Sequence, residues 1–309
     1  MLLDTPSLYF RAFYGIPESI TAPDGTPVNA VRGLIDMIAT LVRRHAPSEL
    51  AATMDADWRP AFRVAAIPTY KAHRVASGHT EEVPDALVPQ IPVIEQVLDA
   101  VGIARPESAG YEADDVIGTL THRSSGAVDI VTGDRDLFQL VDDARPVRVL
   151  YTVRGLRNLQ LVDEAFVSAK YGIPGRAYAD FATLRGDPSD GLPGVAGVGE
   201  KTAAALITRF GSLEALLTAL DSGVTEGFPA GSRTKLAAAR DYLAAAPAVV
   251  TVAPDAPLPP ADLTLPDKPR DPEALVRLAD RYGLDSPLNR LLDALRQHPD
   301  DRGAQRPAR

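Results

Sequence analysis

Hydrophobic positions in the first half of the chain alternate between short apolar runs and longer stretches with helical spacing. Leu2-Leu3 is a short apolar run that ends on Asp4, and Leu50-Ala51-Ala52-Thr53-Met54 reads as a buried strand that ends on Asp55. Val128-Asp129-Ile130-Val131 reads as another strand, running into Thr132-Gly133-Asp134-Arg135-Asp136 and then a helix through Val141. Residues 27–44 repeat apolar side chains every three or four positions, with arginines at the far end, where they suit the helix dipole. Residues 91–100 return to that period, and Tyr111-Glu112-Ala113-Asp114-Asp115 opens a helix with Val116, Ile117 and Leu120 on its apolar face. Thr5-Pro6-Ser7 reads as a turn. Strands alternating with helices predict a mainly parallel sheet with both faces covered.

The remaining pattern divides into three kinds of segment. Residues 71–90 are polar and turn-rich, too poor in apolar side chains to fold alone, and are expected to be mobile. From about residue 163 the pattern predicts helices broken by Gly and Pro: 163–171, 178–184, 200–210 and 212–220, with Gly211 and Ser212 as caps. Residues 254–272 hold seven of the 27 prolines and read as an extended connector. Residues 273–296 look helical, and 297–309 read as a disordered tail. The expected division is therefore 1–162, 163–250, 251–296 and the tail.

Composition narrows the chemistry. A length of 309 residues suits about two domains. The absence of cysteine excludes disulfides, thiolate metal sites and a thiol nucleophile. No run approaches the length of a membrane span and no signal-like start is present, so a cytoplasmic protein without membrane contact is expected. The balance of 32 basic against 41 acidic residues, −9 overall, argues on its face against a nucleic-acid partner.

The positions of the acids change that picture. In an open parallel sheet, ligands bind beyond the carboxyl ends of the strands. Asp4, Asp55 and the pair Asp134/Asp136 occupy such positions. Glu112, Asp114 and Asp115 begin a helix, and Asp187 and Asp190 lie in the turn GDPSDGLPG. Any one of these acids could be a helix cap. Nine converging carboxylates, however, would raise one another's pKa and oppose burial unless cations neutralise them. Oxygen-only donors and histidines without ligand spacing favour hard divalent ions over zinc. Two such ions are the equipment of in-line phosphoryl displacement, so the residues point to a metal-dependent phosphodiesterase.

A glycine-rich turn, Gly194-Val195-Ala196-Gly197-Val198-Gly199-Glu200-Lys201-Thr202, nearly has Walker A spacing. Glu200 stands where Lys should be, and no strand precedes the turn. It fits better as a hairpin between helices, with backbone N–H groups of Gly197, Val198 and Gly199 meeting a nucleic-acid phosphate and Lys201, Thr202 and Arg209 nearby. Tyr70-Lys71-Ala72-His73-Arg74 combines an aromatic with cations, the mix that stacks bases and holds phosphates. Arg11, seven residues after Asp4, can project toward the same edge.

With these motifs in order (YKAHR at 70–74, YEADDVIGTL at 111–120, TGDRDLFQLV at 132–141 and TLRGDPSDGLPGVAGVGEKTA at 183–203) the chain resembles the 5′-nuclease, or flap endonuclease, family. That family includes bacterial 5′-3′ exonucleases and the nuclease domain of DNA polymerase I. The likeness runs from residue 2 to about residue 250. It implies an α/β PIN-like domain, a helical arch over residues 71–92, and a helix–three-turn–helix unit that binds duplex DNA, often with K⁺. It also implies Mg²⁺ or Mn²⁺ at two sites: one held by Asp4, Asp55, Glu112 and Asp114, the other by Asp134, Asp136, Asp187 and Asp190, with Asp115 between. Lys71, Arg74 and Arg11 would meet the scissile phosphate, and Tyr70 would stack on the flipped terminal nucleotide. The implied substrate is flapped, nicked or gapped DNA, including RNA-primed 5′ ends, cut in replication and repair by a monomer at the nucleoid. Thr5-Pro6 and Gly191 depart from the family pattern without removing a ligand. No polymerase domain follows, so a stand-alone nuclease is expected. Two rival readings are a PIN-type ribonuclease and a non-catalytic DNA-structure binder. The hairpin over 183–203 argues against the first and the full acid set against the second.

Overall fold

A computed structural model describes residues 1–78 and 80–297. The tail expected over 297–309 therefore lies, beyond Gln297, outside the described residues. Among them the strands are β1 (Leu2–Asp4), β2 (Ala51–Thr53), β3 (Val75–Ser77), β4 (Thr80–Glu81), β5 (Val128–Thr132), β6 (Val147–Tyr151) and β7 (Gln160–Val162). Five form one sheet in the order β2-β1-β5-β6-β7, parallel except for β7. Successive strand residues point to opposite faces. Leu2, Ala51, Ile130 and Val149 enter one hydrophobic core, while Leu3, Ala52, Val131 and Leu150 enter a second. The sheet is buried on both sides, as its unbroken apolar strands require. Strands β6 and β7 went unread in the sequence, although Val147, Val149 and Leu150 carry the apolar signal.

The helices are α1 (Thr5–Gly15), α2 (Asn29–His45), α3 (Ala61–Ala66), α4 (Gln90–Val101), α5 (Ala113–Arg123), α6 (Glu164–Tyr171) and α7 (Tyr178–Arg185). They continue with α8 (Glu200–Phe210), α9 (Leu213–Asp221), α10 (Ser232–Ala238), α11 (Arg240–Ala245), α12 (Pro247–Val250), α13 (Pro272–Tyr282) and α14 (Asp285–Arg296). Thr5-Pro6-Ser7 is the first turn of α1 and not a separate turn. Asp4 caps it by accepting from the Ser7 N–H at 3.2 Å, and Pro6 lies where no N–H is needed. The amphipathic α2 buries Leu34, Ile38 and Leu41, and Gln90 Oε1 accepts from the Ala30 and Val31 N–H groups at its start. The helix expected through Val141 is instead a short 3₁₀ turn, Asp136–Leu140.

The 71–92 segment differs from the helical arch the sequence implied. A 3₁₀ turn at Ala72–Arg74 leads into the β3–β4 hairpin, and among the described residues no α-helix lies between α3 and α4. Gly78 at φ +57 makes the hairpin turn, and Pro84 and Pro89 interrupt any helix before Gln90.

Residues 251–271 cross back over the α/β half. The Leu50 N–H donates to the Leu263 carbonyl (2.8 Å), and Ser108 Oγ to that of Pro257 (2.9 Å). Helices α13 and α14 then pack on α4 and α2 in the second core. The single helical stretch expected over 273–296 divides at Gly283, in the left-handed region at φ +63.

Candidate active site

Strand order places the site. From β1 the chain steps to β2 on one side and then crosses to β5 on the other, so the connections diverge between β1 and β5. Ligands collect at such switch points, beyond the strand ends. Asp4 ends β1, Asp55 lies two residues past β2, and Asp134 and Asp136 follow β5. A cavity of 230 Å³ opens there, lined by Asp4, Asp55, Glu112, Asp114 and Asp134. An adjoining cavity of 40 Å³ adds Asp136 and Asp190. A larger depression of 580 Å³ between α4 and α13 has Asp99 and Asp271 as its lining acids.

Backbone turns aim these side chains. Thr132 Oγ1 donates to Asp4 Oδ2 at 2.5 Å and accepts from the Asp134 N–H at 2.8 Å. Ser7 Oγ accepts from the Gly133 N–H at 3.0 Å, fixing the end of β5 to the start of α1. Asp55 Oδ1 accepts from the Ala113 N–H at 2.7 Å, which joins the end of β2 to the start of α5. Ser7 and Thr132 were not singled out in the sequence.

Burial and mutual repulsion raise Asp4, Asp55, Asp114, Asp136 and Asp190 above the usual carboxylate range. Burial pushes Asp4 up to about 7, eased by Thr132 and Ser7 and aggravated by Asp134 and Asp55. Asp55 rises to about 6, chiefly from burial and then from Glu112. Asp114 and Asp136 are raised well above the usual carboxylate range by burial, with Asp134 repelling both. Asp190 is raised by burial, against the pull of Lys71 and Arg74.

Glu112 is a crossing point of cations. Its Oε2 accepts from Arg63 Nη1 (2.5 Å) and from the Tyr70 hydroxyl (2.7 Å), while Oε1 pairs with the Lys71 ammonium. Arg63 is 2% exposed and also forms a fork with both oxygens of Asp115, at 2.7 Å each. The sequence placed Asp115 between two metals. The structure turns it away from the cavity onto Arg63 and the Ala253 N–H. Tyr70, expected to stack on a nucleotide, is 4% exposed with its hydroxyl on Glu112, and so is a buried spacer in this geometry.

The basic segment is latched to the acidic turn. The Lys71 N–H donates to the Asp190 carbonyl (2.9 Å), Thr69 Oγ1 to the Gly191 carbonyl (2.9 Å) and Arg74 Nη2 to Asp190 Oδ1 (2.8 Å). Lys71 itself is left-handed at φ +47, a conformation rare for a residue with a side chain. Asp187 lines neither cavity. It caps the Pro188–Asp190 turn and lies 3.6 Å from Arg185 and 4.0 Å from Arg135. Gly191 has φ +72, and a Cβ there would sit 2.2 Å from the Thr69 carbonyl oxygen. Gly191→Ala is therefore expected to destabilise the protein by more than about 1 kcal/mol, measured by urea unfolding, and to spring the latch. Unchanged stability would refute the close approach.

The remaining residues are more scattered. Arg11 is half-buried beside Gly133 and does not line the cavity. Gly199 precedes α8 with no side-chain cap, so the first N–H groups of that helix, including those of Lys201 and Thr202, have neither a capping side chain nor a partner within the helix. Val198 turns its side chain into the core. Arg209 sits at the opposite end of α8, where it packs on Gly227, and so does not join the hairpin. Lys235, missed in the sequence, donates from Nζ to the Gly197 carbonyl at 2.9 Å. Glu81, on β4, also lines the larger cavity and was missed, since it lay in a segment read as mobile.

Eight carboxylates thus face three cations, Arg63, Lys71 and Arg74, across the two cavities. Among the described residues no three acids stand close enough to encircle one ion unaided. An oxygen-only set with uncompensated charge fits hard divalent ions that keep part of their water shell. Asp4, Asp55, Glu112 and Asp114 would hold one, with Asp134, Asp136 and Asp190 towards a second.

A mostly parallel, helix-flanked sheet with carboxylates at its switch point suits the class of proteins that carry out metal-assisted phosphoryl chemistry. Comparison with known proteins gives the family. The sequence model of the 5′-3′ exonuclease N-terminal resolvase-like domain matches residues 1–172, and that of the 5′-3′ exonuclease C-terminal SAM fold matches residues 173–272. A 5′-3′ exonuclease of Streptomyces coelicolor is 61% identical over 96% of this chain and 99% of its own length. One from Mycobacterium tuberculosis is 52% identical, covering 96% and 97%. Among solved structures, the T5 5′-exonuclease with bound zinc is 16% identical, has a TM-score of 0.63, and is matched over 96% of this chain and 98% of its own. The catalytic core of Rad2 in complex with DNA substrate is 16% identical at a TM-score of 0.58, covering 95% and 91%. The chain belongs to the 5′-3′ exonuclease family.

Proposed function

We propose that this nuclease hydrolyses DNA phosphodiesters near the junction of single and double strand, acting on 5′ flaps, nicks or gaps with Mg²⁺ or Mn²⁺. The observation that carries the reading is the acidic cavity at the strand ends with Lys71 and Arg74 set against its wall. Divalent ions bound there would supply charge for the attacking water and the leaving oxygen. Lys71 and Arg74, held at Glu112 and Asp190, present positive charge to a phosphate entering from the hairpin side. The start of α8, with Lys201 and Lys235, offers backbone N–H groups and cations to the duplex backbone some distance away. A K⁺ at the hairpin would have to share the Gly197 carbonyl with the Lys235 ammonium or displace it. A monomer acting at the nucleoid completes the reading.

The test is a gel of 5′-labelled flap, nicked and single-stranded DNA, and of the matching RNA flap, with Mg²⁺, Mn²⁺ or chelator. Cleavage at the DNA junction only with metal is expected; preference for the RNA flap would favour a ribonuclease and sink the reading. Lys71→Ala and Arg74→Ala should each slow cleavage by about 100-fold while duplex affinity stays nearly unchanged. Loss of affinity with single-turnover rate intact would instead make them docking residues.

A further inference from the structure

We infer that the Lys235 ammonium is the hairpin's own monovalent cation, standing where the likeness to the family places K⁺, so that duplex binding by this chain needs no K⁺. The inference rests on the duplex-binding reading of the hairpin above. A K⁺ held by a protein exchanges its water shell for backbone carbonyl oxygens. Three carbonyls of the turn 195–199 are already engaged. Val195 accepts from the Val198 N–H and Gly199 from the Ala203 N–H, each at 2.9 Å. Gly197 accepts from Lys235 Nζ, also at 2.9 Å. An ammonium carries the charge of K⁺ at much the same size, and differs in being tethered to the chain.

The tether fits closely. Lys235 stands on α10, 38 residues along the chain from the carbonyl it meets, so the contact joins α10 to the turn. Its arm lies across Gly197, where an added Cβ would be 2.9 Å from Nζ, 3.1 Å from Cε and 3.6 Å from Cδ. Gly197 is also left-handed at φ +73, so conformation and space both keep a side chain away from this position. Among the described residues no carboxylate pairs with Lys235, and its charge therefore stays with the turn. An ammonium has three donors, of which the carbonyl takes one. The turn thus holds a fixed positive charge next to the uncapped start of α8, where a duplex phosphate is proposed to bind. A lysine that merely clasped α10 to the turn would leave no cation site behind when removed.

The full chain, in chelator to prevent cleavage, is titrated against a fluorescently labelled nicked duplex in KCl and in choline chloride at equal ionic strength, choline being too large for a carbonyl site. Wild type is expected to bind equally in both salts. Lys235→Ala should lose roughly tenfold or more in choline chloride, the worth of one hydrogen bond to a charged group, and recover most of it in KCl. Thermal unfolding without DNA gives a readout independent of the substrate. K⁺ in place of choline should raise the melting temperature of Lys235→Ala and leave that of wild type unmoved, since an ion that binds only the folded state stabilises it. Tighter binding by wild type in KCl overturns the inference. An equal loss by Lys235→Ala in both salts, the behaviour of an ordinary phosphate contact, also overturns it, as does no loss in either. If wild type binds no duplex in any salt, the duplex reading of the hairpin fails, and the unfolding comparison decides the cation by itself. Lys235 is exposed, so the alanine variant is expected to fold, and the wild-type comparison stands even if it does not.

Discussion

Asp114→Asn is expected to lower cleavage by about a thousandfold and yet to make the chelated protein more stable at neutral pH. The activity loss follows if several kcal/mol of charge stabilisation depend on ions this carboxylate helps to hold. The gain in stability has a separate origin. Burial, together with Asp4, Asp134 and Glu112, holds Asp114 well above the usual carboxylate range, so its charge is a cost in the fold. A carboxyl with a raised pKa binds its proton in the native state where the unfolded chain has released it, and stability then falls as pH rises. Asp4 and Asp55, raised to about 7 and about 6, place that fall between about pH 4 and pH 7. Each tenfold in proton affinity is worth about 1.4 kcal/mol. Thermal unfolding in chelator should therefore show declining stability across this window for wild type and a shallower decline for Asp114→Asn. Millimolar Mg²⁺ should oppose it, because an ion that binds only the folded state stabilises that state. Cleavage by Asp114→Asn at near-normal rate would remove this acid from the metal site.

Arg63→Ala should cost about 3–5 kcal/mol of folding stability, the range for stripping one partner from a buried ion pair. The side chains involved are nearly inaccessible: 3% for Arg63, 7% for Glu112 and 0% for Asp115. Without the guanidinium, Asp115 keeps two backbone N–H donors, from Glu112 and Ala253, and Glu112 keeps Tyr70 and Lys71. Two carboxylates would then share that interior with less positive charge. Arg63→Ala combined with Asp115→Ala should lose less than the sum of the single changes, since the second removes the charge left stranded. Urea unfolding measures all three. A loss under about 1 kcal/mol for Arg63→Ala would mean that water enters and screens the site.

The acids at the strand ends were readable because a short apolar run ending in Asp has few places to point once the sheet is parallel. Asp114 and Asp115 could have been told apart. Adjacent helical residues diverge by about 100°, so both cannot face one cavity. Arg63 was hidden by its type, since nothing in Phe62-Arg63-Val64 announces a buried guanidinium until its two acidic partners arrive from 49 and 52 residues away. Tyr70 was misplaced for the same reason: an aromatic beside cations resembles a stacking group, and its partner Glu112 is 42 residues distant. The segment after Lys71 is too weakly patterned to distinguish a helix from a hairpin. Local periodicity found α13 and α14 as helical but could not say which face of the molecule they cover.

That last placement bears on how the protein is made. The face of α2 that meets α14 is completed by residues such as Arg290, whose partner Asp36 lies 254 positions earlier in the chain. Emerging from the ribosome at about 5–20 residues per second, the amino-terminal half would wait on the order of ten seconds or more with that apolar surface uncovered. Folding of the catalytic half thus cannot finish when its own sheet is complete. Long-range closure of this kind is intrinsically slow.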